Sequence, residues 1–409
     1  MPKSGLGEIR IHVSEIRIGM RVNRLEVLEN ESPFLFDIID IKTPADIRAI
    51  QKVCDYVYID VKQQKHQHGY IPTRVSDNKK QLSFARSFHQ TSNTFKETGS
   101  LIKTVFDDIR FGNQFSVESV KQVVTKCVDE VLENSDAMLL LTQLKNQDEY
   151  TAQHSMNVCV LSILLGRELK LSVKELNDLG LCGLLHDIGK MKVPLEILNK
   201  PGKLEAEELI KMRNHTVLGR NVLMAAKNLF PGAVDVAYMH HEKIEGGGYP
   251  RGVDSTGLSV FTKIVTVVDT YDAITSDRVY QKGQSHLKAL GILVGGMNKQ
   301  FEGGFVTQFI NCIGFYPQGN LVELNTGEIA IVVEQNKVDR LKPKLLLLLD
   351  HDKQPIEKRI LDLSNNLLAA NEQPYRVKQI LRAQDCGIDL IKLHEEGIFT
   401  KFYPSVIAG

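Results

Sequence analysis

The chain has 409 residues, of which 43% are hydrophobic, so its length suggests two or three domains and its composition excludes global disorder. Its 50 basic and 50 acidic residues cancel, which argues against duplex nucleic acid or an anionic membrane as the main partner. No apolar run reaches the roughly 18 residues that cross a bilayer, and six scattered cysteines without a CxxC pair favour reduced thiols in the cytoplasm.

The first part of the chain, residues 1–75, shows the alternating apolar pattern of short strands. The alternation starts at Ile9, and a closing strand is predicted over 56–61. Between them, Thr43 followed by Pro44 predicts a short helix up to Val53, because threonine caps helices and proline suits the first helical turn. We therefore predict a small α+β domain over 1–75, followed by a linker and helices over 76–135.

A long helical region follows the linker. From about Leu82 to Leu293, apolar residues recur at helical spacing and strand patterns are absent. After Cys312 the pattern changes to short alternating runs separated by turns, and the five leucines from Leu345 to Leu349 predict a buried strand. We predict a helical catalytic domain over 136–312 and a β-rich C-terminal region over 313–409.

The segment LCGLLHDIGKM, residues 181–191, contains polar residues that could take part in catalysis or binding. His186 and Asp187 are adjacent, and Lys190 lies four residues after His186, on the same face of a helix. These groups are costly to bury on an apolar helix unless they bind something. The pair alone is a weak signal, and an ordinary surface stripe is the alternative.

Further histidines strengthen the case for a metal site. His154 opens a helix, His215 is expected in mid-helix, and an apolar helix ends at His240-His241. Asp269 lies in a buried-looking apolar segment, where a lone carboxylate is expensive. The potential ligands are seven: His154, His186, Asp187, His215, His240, His241 and Asp269.

Seven ligands argue for at least two ions, because one ion takes about six donors at most and must keep a position open. Mixed imidazole and carboxylate donors suit iron, manganese or zinc better than calcium or magnesium. Two adjacent ions form the usual clamp for hydrolysis of phosphoryl esters.

These residues resemble the HD-GYP family of phosphohydrolases. Three stretches carry the resemblance: HDIGKMKVPLEILNKPGKL from His186, HHEKIEGGGYPRG from His240, and VVDTYDAITSDRVY from Val267. The second stretch has Glu245 where the family usually has aspartate. The resemblance covers roughly 148–301, while residues 9–60 are similar to an uncharacterised domain that often precedes HD-GYP domains in bacteria.

The resemblance implies a mainly α protein, with an HD-superfamily helical bundle between the small α+β and β-rich regions. It implies a metal-dependent phosphodiesterase that hydrolyses a cyclic dinucleotide, cyclic di-GMP or cyclic GMP-AMP, to linear dinucleotide and further to mononucleotides. The alternative is a catalytically weak cyclic dinucleotide receptor that signals by protein docking. A homodimer and a signalling partner at the Gly-Tyr-Pro loop stay open.

The resemblance also assigns roles to single residues. All seven potential ligands carry over as metal ligands, with iron or manganese favoured and zinc, nickel or cobalt as alternatives. Asp187 and Lys190 carry over as catalytic residues, and Lys190 and Arg278 as contacts to substrate phosphate.

Two further assignments have ordinary alternatives. Glu149 matches a family glutamate that binds a third ion, but it equally suits the start of a helix, where the helix dipole favours carboxylates. Gly248, Tyr249 and Pro250 match a substrate-binding lip or docking surface, but an interhelical turn also fits these residues.

Overall fold

The computed structural model describes residues 8–13, 16, 18, 20–25, 39–51, 56–60, 81–143, 150–277, 283–336, 339–369, 372–381, 386–388 and 392–393. The chain forms two compact units, Met1–Asn78 with Asn336–Lys342, and Lys79–Gln335 with Pro343–Gly409. In the described part of the chain, no helix combines the length and apolarity of a membrane span.

The first unit contains a four-stranded antiparallel sheet and one helix. Its elements are β1 (Glu8–His12), β2 (Arg21–Leu25), β3 (Ile39–Asp40), α1 (Pro44–Ile50) and β4 (Tyr56–Asp60), and the strand order is β1-β4-β2-β3. Thr43 caps α1 as predicted: the Asp46 carboxylate accepts from the Thr43 backbone N–H at 2.8 Å, and Thr43 Oγ1 accepts from the Asp46 N–H at 3.3 Å. Val22, Ile50 and Val57 are fully buried in its small core.

The second unit is built mainly from helices. They are α2 (Gln81–Arg110), α3 (Val117–Glu133), α4 (Ser135–Gln143), α5 (Tyr150–Glu168), α6 (Val173–Leu185), α7 (Leu195–Leu198), α8 (Ala206–Arg213), α9 (His215–Met224), α10 (Pro231–Met239), α11 (Val260–Thr275), α12 (His286–Gly295) and α13 (Gly303–Ile313). Two 3₁₀ helices lie among them, Ile188–Lys192 and Ser255–Gly257.

Helix α5 forms the centre of this bundle. From Met156 to Leu165 all its side chains are buried, and it packs against α3, α4, α6, α11 and α13. A helix that is apolar on every face needs partners on every side, so surrounding helices are a consequence of its sequence. The polar groups in the middle of α5, from His154 to Ser162, therefore face other helices rather than solvent.

Gly189 allows the 3₁₀ helix to touch α9. A Cβ at this position would lie 1.9 Å from the carbonyl oxygen of His215 and 2.4 Å from the backbone nitrogen of Gly219. No side chain fits such a contact, so only glycine lets the two backbones approach this closely. The approach brings the residues around Asp187 next to the start of α9.

The C-terminal part of the second unit is a five-stranded antiparallel sheet. Its strands are β5 (Leu321–Leu324), β6 (Ile329–Glu334), β7 (Lys344–Leu349), β8 (Ile360–Asp362) and β9 (Val377–Leu381), in the order β8-β7-β6-β5-β9. β5 and β6 form a hairpin across residues 325–328, in the region where short runs separated by turns were predicted. The predicted leucine strand is β7, in which Leu345 to Leu348 are buried.

The fold class predicted from the sequence is confirmed: a mainly α protein with a small α+β region at one end and a small β-rich region at the other. The helical stretch from residue 82 is interrupted at 111–116, where Gly112 has a φ of 87°. The predicted helix end at Val53 and the start of the predicted linker, residues 76–80, lie outside the described residues.

Candidate metal centre

Five places in the bundle supply the seven predicted ligands, and the structure brings all seven together. α5 carries His154, α11 carries Asp269, and His240 and His241 directly follow α10. The expectation that His215 lies in mid-helix is wrong. The chain turns at Asn214, between α8 and α9, and His215 is the first residue of α9.

The pair His186-Asp187 does not lie within one continuous helix, contrary to the sequence prediction. α6 ends at Leu185, and the chain continues as the 3₁₀ helix Ile188–Lys192. Residues three apart eclipse one another in 3₁₀ geometry. Lys190 is therefore aligned with Asp187 instead of His186: its backbone N–H donates to the Asp187 carbonyl at 2.9 Å, and its ammonium donates to Asp187 Oδ2.

The seven side chains form two groups. His154, His186 and Asp269 form the first group, and each offers one donor atom within 4.8 Å of the others. The second group obeys the same limit and consists of Asp187, His215, His240 and His241. Only His241 among the seven is half-buried, and the other six are buried.

Asp187 connects the two groups, because its two oxygens face different histidines. Oδ2 lies 3.3 Å from His186 Nε2 and 3.5 Å from His154 Nε2. Oδ1 lies 3.3 Å from His215 Nε2 and 3.6 Å from His240 Nε2. A carboxylate placed in this way can bridge two cations, one on each oxygen.

Backbone carbonyls orient three of the imidazoles. The Nδ1–H of His186 donates to the Gly183 carbonyl at 2.8 Å, that of His215 to Met212 at 2.7 Å, and that of His240 to Val236 at 3.1 Å. Because a carbonyl can only accept, Nδ1 carries a proton in each ring and Nε2 is the nitrogen directed at the cluster. This is the usual arrangement behind a histidine that binds a metal.

His154 is oriented by a carboxylate that the sequence reasoning did not single out. Its Nδ1 donates to Asp272 Oδ2 at 2.8 Å, and Asp272 is itself buried. Asn157 Nδ2 donates to Asp272 Oδ1 at 3.0 Å, and Ser276 Oγ donates to Oδ2 at 3.1 Å. A second acidic residue three positions after Asp269, on the same apolar helix, was the pattern that could have revealed it.

The environment keeps the two carboxylates of the cluster ionised. Burial alone would raise the pKa of Asp187, but Lys190 and His186 beside it hold this pKa well below its usual range. Burial acts in the same way on Asp269, where His154 and His186 hold the pKa well below its usual range. The cluster therefore carries negative charge in the interior, which is costly unless cations balance it.

Burial and neighbouring charges shift the pKa values of the histidines in different directions. Burial lowers the pKa of His215 to about 3 and that of His241 well below 6.5, so both are neutral and able to bind a metal at pH 7. For His186, burial lowers the pKa, but the charges of Asp187 and Asp269 more than offset it and raise the pKa to about 9. A strong attraction for positive charge thus exists between these two carboxylates.

The residues fit a pair of divalent ions. His186 Nε2 and Asp187 Oδ1 are buried without a hydrogen-bond partner among the described residues. Unpaired buried polar atoms are expensive, and a metal ion would satisfy both. The donor set, five imidazoles and two carboxylates without a thiolate, suits transition metals.

The Gly-Tyr-Pro loop packs directly against the metal-ligand turn. The Tyr249 ring stacks on the His241 imidazole with centroids 4.7 Å apart, and its backbone N–H donates to the His241 carbonyl at 3.3 Å. A Cβ on Gly248 would lie 2.4 Å from the Cα of Glu242, so glycine is required there. Pro250 is exposed, and the bond before it is cis.

Glu242 fastens the far side of this loop and was also missed by the sequence reasoning. Its carboxylate is buried, and Oε1 accepts from the backbone N–H groups of Arg251 at 2.6 Å and Gly252 at 3.0 Å. The loop backbone is thus held at both ends. Two other predicted site residues, Glu149 and Arg278, lie outside the described residues.

Three family models match successive parts of the chain. Residues 137–303 match an HD domain, residues 8–120 match a domain of unknown function (DUF3391), and residues 321–370 match a KOW domain associated with the HD domain. The seven predicted ligands all fall within the HD match.

Similar proteins carry phosphodiesterase names. A cyclic di-GMP phosphodiesterase of Pseudomonas aeruginosa is 38% identical over 64% of this chain and 63% of its own length. Two 3'3'-cGAMP-specific phosphodiesterases of Vibrio cholerae are 35% and 39% identical, over 41% and 35% of this chain and 38% and 31% of their own lengths. The chain thus spans less than two thirds of these relatives. With the motifs, the ligand cluster and these matches in place, the predicted resemblance to the HD-GYP family, with a DUF3391 domain at the N-terminal side, is confirmed.

Proposed function

We propose that the protein is a metal-dependent phosphodiesterase that opens a cyclic dinucleotide. The observation that carries this proposal is the shared position of Asp187, which faces one group of ligands with each oxygen and also accepts from Lys190. A bridged pair of ions with an ammonium beside it is the arrangement expected for phosphoryl ester hydrolysis.

The proposed site holds two divalent ions, one per ligand group, with iron or manganese favoured and zinc, nickel or cobalt as alternatives. When bound, such ions polarise a phosphoryl oxygen and make water a nucleophile near neutral pH. Glu149 is proposed to recruit a third ion. The HD match and the donor set of the seven ligands support a divalent-metal site without identifying the metal.

The protein's own residues are proposed to position the metal ligands and to neutralise charge on the phosphoryl group. Lys190 is aligned with the shared carboxylate, so its ammonium can balance charge that develops on the phosphoryl oxygens. Asp187 stays ionised and keeps the two ligand groups at a fixed separation. Asp272 orients His154, and Arg278 is proposed as a second phosphate contact.

The proposed substrate is a cyclic dinucleotide because relatives are named for cyclic di-GMP or 3'3'-cGAMP. Both molecules contain two phosphodiesters, so complete hydrolysis needs two cuts. Gly248, Tyr249 and Pro250 are proposed to contact this substrate. The presence of all seven ligands favours an enzyme over the alternative of a receptor that only docks to partners.

We also propose the division of the chain into 1–75, 76–135, 136–312 and 313–409. The HD match over 137–303 supports the third segment, and the compact unit ending at Asn78 supports the first boundary. A homodimer and a partner at the Gly-Tyr-Pro loop stay predictions.

The decisive experiment combines metal analysis with product analysis. We expect at least two transition-metal ions per chain, and release of linear dinucleotide and mononucleotide from a panel of cyclic dinucleotides. His186→Ala and Asp187→Ala variants should lose both metal and activity. A fully loaded wild-type protein that cleaves no member of the panel would refute the proposed function.

A further inference from the structure

Three planar groups are stacked beside the metal centre. The first is the imidazole of His241, one of the seven ligands, and the second is the ring of Tyr249, with centroids 4.7 Å apart and planes 26° from parallel. The third is the guanidinium of Arg213, whose Cζ lies 5.0 Å from the centroid of the Tyr249 ring. His241 is half-buried and Arg213 is exposed, so the three groups connect the metal-ligand turn with the protein surface.

The position of Arg213 is tied to the metal centre from two directions. Along the chain it lies two residues before His215, and the preceding residue, Met212, accepts the hydrogen bond that orients the His215 ring. Across the stack, its guanidinium lies over the ring of Tyr249. The loop that contains Tyr249 is held next to His241 by the hydrogen bond to Glu242 and by the close backbone contact at Gly248. Its guanidinium is therefore presented at a defined place.

Arg213 is also available to bind an anion. It is exposed, and among the described residues no carboxylate pairs with its guanidinium. An arginine held by an aromatic face loses little further freedom when it binds, and its fork of N–H donors matches a phosphate oxyanion. The remaining requirement is an anion at a short, fixed distance from the metals.

A cyclic dinucleotide provides such an anion, since its second phosphodiester is held in the same ring as the one being cleaved. We infer that Arg213 is a substrate-binding residue that holds this second, non-reacting phosphodiester while the first lies at the metal centre. The inference rests on the proposed function and deepens it, because it explains how the site distinguishes a two-phosphate ring from a simple diester.

The test compares two substrates, cyclic di-GMP and bis(p-nitrophenyl) phosphate, which has a single phosphodiester. For Arg213→Ala, we expect the ratio of kcat/KM on cyclic di-GMP to kcat/KM on the small diester to fall about 10-fold to 100-fold, as for one charged hydrogen-bonded contact. Most of the loss should be in KM, because the second phosphate does not react. Arg213→Lys should lie between, since it keeps the charge but loses the fork.

The next helix along the chain, α9, provides a matched control residue. Arg220 on α9 also places its guanidinium 5.0 Å from a tyrosine ring, that of Tyr238 on α10, outside the Gly-Tyr-Pro loop. Arg220→Ala should keep the wild-type ratio. Metal content is counted in every variant, and it should match the wild type.

The outcomes separate this inference from the function it rests on. If the wild type cleaves cyclic di-GMP and Arg213→Ala behaves like Arg220→Ala, the inference alone is overturned. Loss of metal from both Arg213 variants would make the residue a support for His215 and would also overturn it. If the wild type cleaves the small diester but no cyclic dinucleotide, the proposed function fails first and the inference fails with it.

Discussion

The carboxylate of Asp272 offers a sharp test of how the metal centre is built. Among its hydrogen-bond donors are His154 Nδ1, which belongs to one of the seven ligands, Asn157 Nδ2 and Ser276 Oγ. Asp272→Asn keeps the shape but removes the charge and replaces one acceptor with a donor. The new amide group then faces either His154 or Asn157, both of which donate, so one bond is lost whichever way it turns.

The expected magnitude follows from the role of the residue behind a metal ligand. Loss of such a partner typically weakens metal affinity by about 10-fold to 100-fold, or about 1.4 to 2.8 kcal/mol. Ser276→Ala removes only one neutral donor to the same carboxylate, which is worth about 1 kcal/mol, so it should weaken affinity by less than 10-fold.

Metal affinity is measured by titration against a chromophoric chelator, with elemental analysis of the loaded proteins. Asp254→Asn serves as a control, because Asp254 is exposed and caps a short 3₁₀ helix by accepting from the backbone N–H of Thr256. Affinity in Asp272→Asn equal to that in Asp254→Asn would refute the idea that Asp272 orients His154 for metal binding. Thermal unfolding of the loaded and chelated forms separates this effect from a general loss of stability.

Four further predictions follow from the same structure. Lys190→Ala should lower kcat roughly 100-fold with metal content intact, whereas unchanged kcat would remove Lys190 from the site. Gly248→Ala forces a Cβ against backbone, so it should lower activity and Tm, and a fully active variant would contradict the packed loop. Without metal, the unfolding free energy should fall as the pH is lowered from about 5.5 to about 4, because His215 and His241 have lowered pKa values and bind protons in this window only when unfolded. His186, whose pKa is raised, is protonated in both states over this window and adds little slope. Denaturant titrations check this, and His215→Gln should reduce the slope. A protein that starts at residue 136 lacks α3 and its five buried valines, worth on the order of 8 kcal/mol, so it should unfold, whereas one that starts at residue 79 should stay folded by circular dichroism.

Much of this protein could be predicted from local patterns. The N-cap at Thr43 and the leucine strand at 345–349 depend on residues close together in sequence, and both predictions are confirmed. Such features are encoded by spacing and side-chain type within a few residues. The identity of the seven ligands was also readable, since imidazoles and carboxylates in apolar segments are costly without a purpose.

Other predictions were wrong because a sequence pattern cannot show where tertiary packing ends a helix. The helical spacing placed Lys190 on the face of His186, but α6 ends at Leu185 and the following 3₁₀ turn aligns Lys190 with Asp187. His215 begins a helix for the same kind of reason, because the chain must turn at Asn214. Local propensity allowed either geometry, and packing between helices selected one.

The sequence by itself therefore determined the chemistry of the centre: which donors are present, in what order, and on what kind of scaffold. Only the tertiary structure decided that Asp187 faces both groups, that Asp272 supports His154, and that Arg213 stacks outside Tyr249. The physical reason is distance along the chain. His154 and Asp272 are 118 residues apart, and no periodicity relates them, so their 2.8 Å contact exists only because α5 and α11 pack together in the bundle.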